Sequence, residues 1–176
     1  RDIEIAVIDG QRGLGSGLPL QAGPMREPAS RLGSVDFRVV NGDWRAAGQP
    51  PADTVSMTLT PGVWQAVGTT AQDTVAPAAG LVHAVAGIGH PPRFFALLER
   101  LGYEPVPHAF PDHHAYQPGD LDFSPPLPVV MTEKDAVKCA SLAPANTWFV
   151  PVQAMLPESF WHALLARLAI WRSTHA

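Results

Sequence analysis

Asp112, His113 and His114 are consecutive, placing a carboxylate beside two imidazoles in one short stretch. An imidazole titrates near neutrality and can take a proton from a hydroxyl group. A neighbouring carboxylate fixes its tautomer and steadies the imidazolium that results. The same residues also fit a plain turn, with Asp112 capping the next element and both histidines in solvent. Zinc is disfavoured by spacing, because adjacent histidines cannot easily share one ion and no cysteine or third histidine stands at ligand distance.

Two further stretches carry groups that could meet an anion. Arg26 lies in Gly23-Pro24-Met25-Arg26-Glu27-Pro28, where its guanidinium can clamp a phosphate or simply pair with Glu27. Glycines 13, 15, 17 and 23 let this loop approach a ligand closely. Ala86-Gly87-Ile88-Gly89-His90-Pro91 reads as a strand end running into a helix start. Its spacing is not the dinucleotide fingerprint, but a helix N-terminus favours anions. Arg93 falls in the first helical turn, where a cation opposes the dipole, so a ligand contact and a surface ion pair are both open.

Thr132-Glu133-Lys134-Asp135 fits a helix start, with Thr132 as N-cap and Asp135 closing a variant capping box. Structure is favoured over catalysis there, and Lys138 reads as a solvated helix residue. Asp9, ending the first strand, fits a turn or cap at least as well as a magnesium contact. Cys139 reads as a packed thiol, and as the single cysteine it permits no internal disulfide.

The elements that must hold these residues alternate. Residues 3–9 and 81–89 read as buried strands running into loops, and 35–40, 128–132 and 147–152 as further strands. Residues 105–110 form a short extended piece. Helices are expected over 91–102, where prolines start the helix and Gly102 stops it, over 133–140, and over 157–171. In the last, Phe160, Leu164, Leu165, Leu168 and Trp171 share helical spacing. This alternation predicts an α/β fold with a mainly parallel sheet. Residues 56–60 and 64–67 alternate about Pro61-Gly62 and are expected to pair as an inserted antiparallel hairpin. The expected organisation is 1–34, the end of a nucleotide-binding core with a substrate loop; 35–70, a β-rich insertion; and 71–176, an α/β subdomain.

Of 176 residues, 46% are hydrophobic and 16% charged, with a net charge of −4. That balance argues against a nucleic-acid partner, which needs a basic face. No apolar run is long enough to span a bilayer. The chain opens with Arg1 inside a strand-like run, which is read as a missing N-terminal portion.

Four segments in order are similar to the signatures of the tetraacyldisaccharide 4'-kinase family: residues 17–28 (GLPLQAGPMREP), 86–95 (AGIGHPPRFF), 110–116 (FPDHHAY) and 131–138 (MTEKDAVK). The resemblance covers essentially the whole chain. It implies a P-loop-kinase-like fold, incomplete here, that uses ATP and Mg²⁺. The implied reaction phosphorylates the 4'-hydroxyl of an acylated glucosamine disaccharide 1-phosphate at the cytoplasmic face of the bacterial inner membrane. It places the catalytic histidine at His113, supported by Asp112, with Arg26, His114 and Arg93 as substrate contacts. The family's phosphate loop and Asp-Asp-Gly metal motif are not in this sequence, so its residues suggest no nucleotide or metal ligands. Two other readings stand beside it: a non-catalytic module that binds an anionic glycolipid through the same Arg and His residues, and a generic α/β nucleotide-binding enzyme unrelated to lipids.

Overall fold

The computed structural model describes residues 2–15, 28–68 and 76–175. Arg26 and most of its loop lie outside them. In chain order the strands are β1 (Ile5–Asp9), β2 (Phe37–Asn41), β3 (Thr54–Pro61), β4 (Gln65–Ala66), β5 (Leu81–Ala86), β6 (Glu104–Ala109), β7 (Val129–Met131), β8 (Thr147–Phe149) and β9 (Val152–Met155). The helices are α1 (Pro91–Arg100), α2 (Glu133–Cys139) and α3 (Glu158–His175), with a 3-10 turn at Ala29–Gly33. They build two compact units: residues 1–60 with 153–176, and residues 61–152. The chain divides after Thr60 and after Val152, whereas the sequence reading divides it at 34 and 70.

The first unit carries a sheet of order β1-β2-β3-β9. β1 pairs in parallel with β2, from Ile5 opposite Phe37 to Asp9 opposite Asn41, and β2 pairs in parallel with β3. Val39, Met57 and Phe160 form its core, with Phe37, Val55, Leu156 and Leu164 packed around them. The apolar side expected for the terminal helix is therefore split. Phe160 and Leu164 meet the sheet, while Leu165 and Leu168 are exposed.

The second unit carries a sheet of order β4-β8-β7-β5-β6. β5 lies between two parallel partners, β6 and β7, and β7 pairs in parallel with β8. Being covered on both faces, β5 is the near-continuous apolar run that a buried parallel strand needs. Val82, Ala84 and Ala86 face Phe94 and Leu98 of α1, and Val85 joins Tyr116, Met131, Ala136 and Cys139 on the other side.

The α/β architecture with mainly parallel strands is as expected; the hairpin within 35–70 is not formed. β3 belongs to the first sheet, and β4 pairs antiparallel with β8 in the second. Alternation along a strand reports which face is buried and says nothing of which strand lies alongside. At the expected turn, the Gly62 N–H donates to the Pro151 carbonyl at 2.8 Å, so the chain joins another segment instead of folding back. The expected strand 147–152 is likewise two strands, broken at Pro151, which has no N–H to give a ladder.

Candidate functional site

Because β5, β6 and β7 run parallel, their C-terminal ends share one edge of the second sheet. Ligands in open α/β sheets bind beyond that edge. The segments leaving it are Gly87 to His90, Phe110 to Tyr116 and Thr132 to Asp135, three of the stretches singled out by sequence.

After β6, Asp112 Oδ1 accepts from Lys134 Nζ at 2.6 Å and from the His113 backbone N–H at 3.0 Å. The hydrogen bond from the Lys134 ammonium is the main reason the Asp112 carboxyl lies below its ordinary range. His113 Nε2 stands 3.8 Å from Asp112 Oδ2, and its side chain is 80% exposed. This is ion-pair distance without a hydrogen bond, so the ring keeps its capacity for another partner. His113 has a φ of +63°, the left-handed region that non-glycine residues seldom occupy. The Gly89 loop runs alongside, since a Cβ on Gly89 would lie 4.0 Å from Asp112 Oδ2.

His114 is held differently. Its Nε2 pairs with Asp120 Oδ2 at 2.9 Å, and the ring packs against Phe110 and Tyr116, each at 4.8 Å between centroids. Asp120 Oδ2 also accepts from the Gln117 N–H at 2.8 Å. The bond from His114 is the first cause of the lowered Asp120 carboxyl. Two neighbouring histidines thus have opposite environments: His113 open, His114 tied into its own loop.

Thr132 caps α2 as expected. Its Oγ1 accepts from the Asp135 N–H at 3.3 Å and donates to Asp135 Oδ2 at 2.6 Å. The carboxylate then goes beyond a capping box, because Oδ2 also accepts from the Gly87 N–H at 2.8 Å. Asp135 is fully buried. Lys138 Nζ lies 3.9 Å from Asp135 Oδ1 and donates to the His114 carbonyl at 3.3 Å. Lys138 is therefore a link between helix and loop and not the solvated residue expected.

The other candidates are placed simply. Arg93 sits half-buried in the first turn of α1 and has an interaction partner. Asp9 makes a turn, with Oδ1 accepting from the Gln11 and Arg12 N–H groups at 2.9 and 3.2 Å. Cys139 is buried, and burial pushes its thiol up to about 11, so it carries no thiolate at neutral pH. Among the described residues no group of three or more His, Cys, Asp or Glu could hold a metal ion.

Sequence reasoning does not assign Lys134, Lys138, Tyr116 or Asp120 to the site. One signal is present: Lys134 and Lys138 are four residues apart, so they share a helix face. Which loop that face meets follows only from the strand order.

The family model described as Tetraacyldisaccharide-1-P 4'-kinase matches residues 1–169. The chain is 52% identical over 171 residues to the tetraacyldisaccharide 4'-kinase of Alkalilimnicola ehrlichii, covering 96% of this chain and 50% of that protein. It is 49% identical over 175 residues to that of Alcanivorax borkumensis, covering 95% and 50%. The LpxK of Aquifex aeolicus, crystallised in complex with ATP, superposes with a TM-score of 0.62 at 18% identity, over 95% of this chain and 53% of that one. At that identity the likeness is one of fold. The chain spans about half the length of the curated relatives it matches. With its family model matched almost end to end, the chain belongs to the tetraacyldisaccharide-1-phosphate 4'-kinase family.

Proposed function

We propose that this chain is the C-terminal part of a kinase that moves the γ-phosphoryl group of ATP to the 4'-hydroxyl of a tetraacyl glucosamine disaccharide 1-phosphate. The observation that carries the reading is the exposed His113 imidazole, 3.8 Å from Asp112, beyond the C-terminal end of a parallel strand. A sugar hydroxyl at His113 Nε2 gives up its proton as its oxygen attacks the γ-phosphorus of ATP, and the bond from that phosphorus to the bridging oxygen breaks, with ADP leaving. Asp112 steadies the resulting imidazolium, and Lys134 keeps Asp112 ionised. These residues supply proton transfer and orientation. They do not supply grip on the nucleotide, since the sequence holds no phosphate-loop pattern and the described residues no cluster fit for Mg²⁺. Arg26 is the proposed contact for the substrate's 1-phosphate or the transferring group. Arg93 is a second substrate contact, and His114, tied to Asp120, serves by shaping its loop around the substrate. Among the described residues no helix is long and apolar enough to cross a membrane. The proposed attachment is peripheral, at the cytoplasmic face of the inner membrane.

The test is ATP turnover on the disaccharide lipid by the full-length protein with His113→Ala. The expected loss in kcat is about 10²- to 10⁴-fold, the usual worth of a general base, with lipid binding retained. An unchanged kcat would leave the residues to a non-catalytic, glycolipid-binding role.

A further inference from the structure

We infer that Asp135 is a positioning residue of this site: one buried carboxylate that fastens together the segments leaving β5, β6 and β7, and so sets where His113 stands. The inference rests on the proposed role of His113. A fully buried carboxylate persists only where its oxygens are partnered. Asp135 Oδ2 takes the Gly87 N–H from the segment after β5 and the Thr132 hydroxyl from the end of β7. Oδ1 faces the segment after β6. A Cβ added at Gly87 would lie 2.8 Å from both Asp135 Oδ1 and the Tyr116 hydroxyl, and 3.5 Å from the Pro111 carbonyl. Gly87 is therefore required by the closeness of these groups, not by its own backbone angles.

Asp135 Oδ1 and the Tyr116 hydroxyl lie side by side short of full hydrogen-bond geometry, and burial, then the nearby Asp135 carboxylate, keep that hydroxyl protonated and able to donate to Oδ1. The compensating charge is Lys138, 3.9 Å from Oδ1 and 5.9 Å from the centre of the Tyr116 ring. Lys138 also donates to the His114 carbonyl, one residue beyond His113. Asp135 and Lys138 thus hold the backbone on the far side of His114 while Asp112 and Lys134 hold it before His113. Between these two fastenings His113 occupies its left-handed conformation. A residue in that region persists when its surroundings over-determine it. Asp135 and Lys138 engage the Gly87 N–H, the Thr132 hydroxyl and the His114 carbonyl and not the His113 ring, so their effect on the reaction passes through the placement of His113.

The experiment uses the full-length kinase, with kcat, both KM values and the unfolding midpoint measured for Asp135→Asn, Lys138→Met, Lys138→Arg and His113→Ala. Asp135→Asn keeps the shape and removes the charge; Lys138→Met removes the link to His114. Each is expected to lower kcat by about 10- to 100-fold, the size of effect that a misplacement of about 1 Å produces. The KM values should stay within about 2-fold, and Lys138→Arg should recover most of the loss. The inference is overturned if kcat stays near wild type in Asp135→Asn and Lys138→Met. It is equally overturned if kcat falls only in step with the folded fraction and Lys138→Arg is no better than Lys138→Met. Should Asp135→Asn not fold, the two Lys138 variants decide alone. His113→Ala separates the two ideas: full activity there removes the catalytic reading, whereas a large loss with silent Asp135 and Lys138 variants removes only this one.

Discussion

The two units are built from similar parts, parallel strands with helices packed on them, yet they handle polarity in opposite ways. In the unit of residues 61–152, polar side chains go inside: Asp135, His83 and Thr147 are all buried and hydrogen-bonded. Among the described residues the other unit buries no polar side chain, and its ion pairs, such as Arg167 on Asp36, stay partly exposed. An interior polar group must be met from fixed directions, so it specifies where loops go. A surface pair constrains much less, because water can replace either partner. The candidate chemistry lies in the unit that uses polar groups as interior fasteners.

The sharpest way to break this comparison is through the cores. Leu98 of α1 is fully buried against β5, whereas Leu165 of α3 is 62% exposed. Leu98→Ala should cost about 2–5 kcal/mol, from lost transfer energy and the cavity left behind. Leu165→Ala should stay within about 0.5 kcal/mol. Denaturant midpoints at constant m-value check both. Similar costs at the two sites would mean that α3 is covered in the folded protein.

The next contrast is between glycines. At Gly87 a methyl group would meet Asp135 and Tyr116 oxygens at 2.8 Å, while at Gly33 a Cβ meets nothing within 4 Å. Gly87→Ala should destabilise by about 1–3 kcal/mol, and Gly33→Ala by less than about 0.5 kcal/mol. A benign Gly87→Ala would show that the fastening around Asp135 is loose.

A smaller effect depends on pH. His83 Nε2 lies 2.8 Å from the Pro125 carbonyl, which can only accept, so that nitrogen carries a proton, and Nδ1 pairs with His108 Nε2 at 3.0 Å. Burial, and then the nearness of His83, hold His108 below the ordinary histidine value. Its neutral form is therefore favoured in the fold, and the unfolded chain binds the proton more readily. Stability should fall as pH drops from about 6.5, the unfolded value, towards the lowered folded value. His108→Gln should flatten that limb. An unchanged slope between about pH 7 and 5 would count against a His108 held neutral in the fold.

Much of this architecture is legible in the amino-acid sequence, and the line between legible and illegible is physical. Local rules act within a few residues. Prolines at 91 and 92 starting α1, Thr132 capping α2 and the apolar run of β5 are all readable for that reason. Partner choice is non-local. The alternation in residues 56–60 and 64–67 is real, but its strands belong to different sheets. The Asp112-His113-His114 cluster stands out by residue type alone. That His113 is open and His114 tied down depends on Asp120, six residues further on, and the role of Lys138 depends on where the β6 segment ends. The expectation for Arg26 falls outside the described residues.

The smallest predicted effect tests the exposed half of the comparison. Asp36 accepts the Glu4 N–H at 2.9 Å, and Arg167 reaches Asp36 Oδ1 through Nε at 3.0 Å and through Nη2 at 2.7 Å. The Glu4 backbone bond first, and Arg167 second, lower the Asp36 carboxyl. A lowered carboxylate stabilises the fold above the ordinary carboxylate range, and that contribution disappears as pH falls through the lowered folded value. Arg167→Ala should remove only part of this acid-side dependence, because the Glu4 bond remains. Arg167 is 58% exposed, so a double-mutant cycle with Asp36→Asn should give a coupling below about 1 kcal/mol. A coupling above about 2 kcal/mol would mean that this pair is shielded from water as Asp135 is, and the contrast between an interior-fastened unit and a surface-paired one would no longer hold.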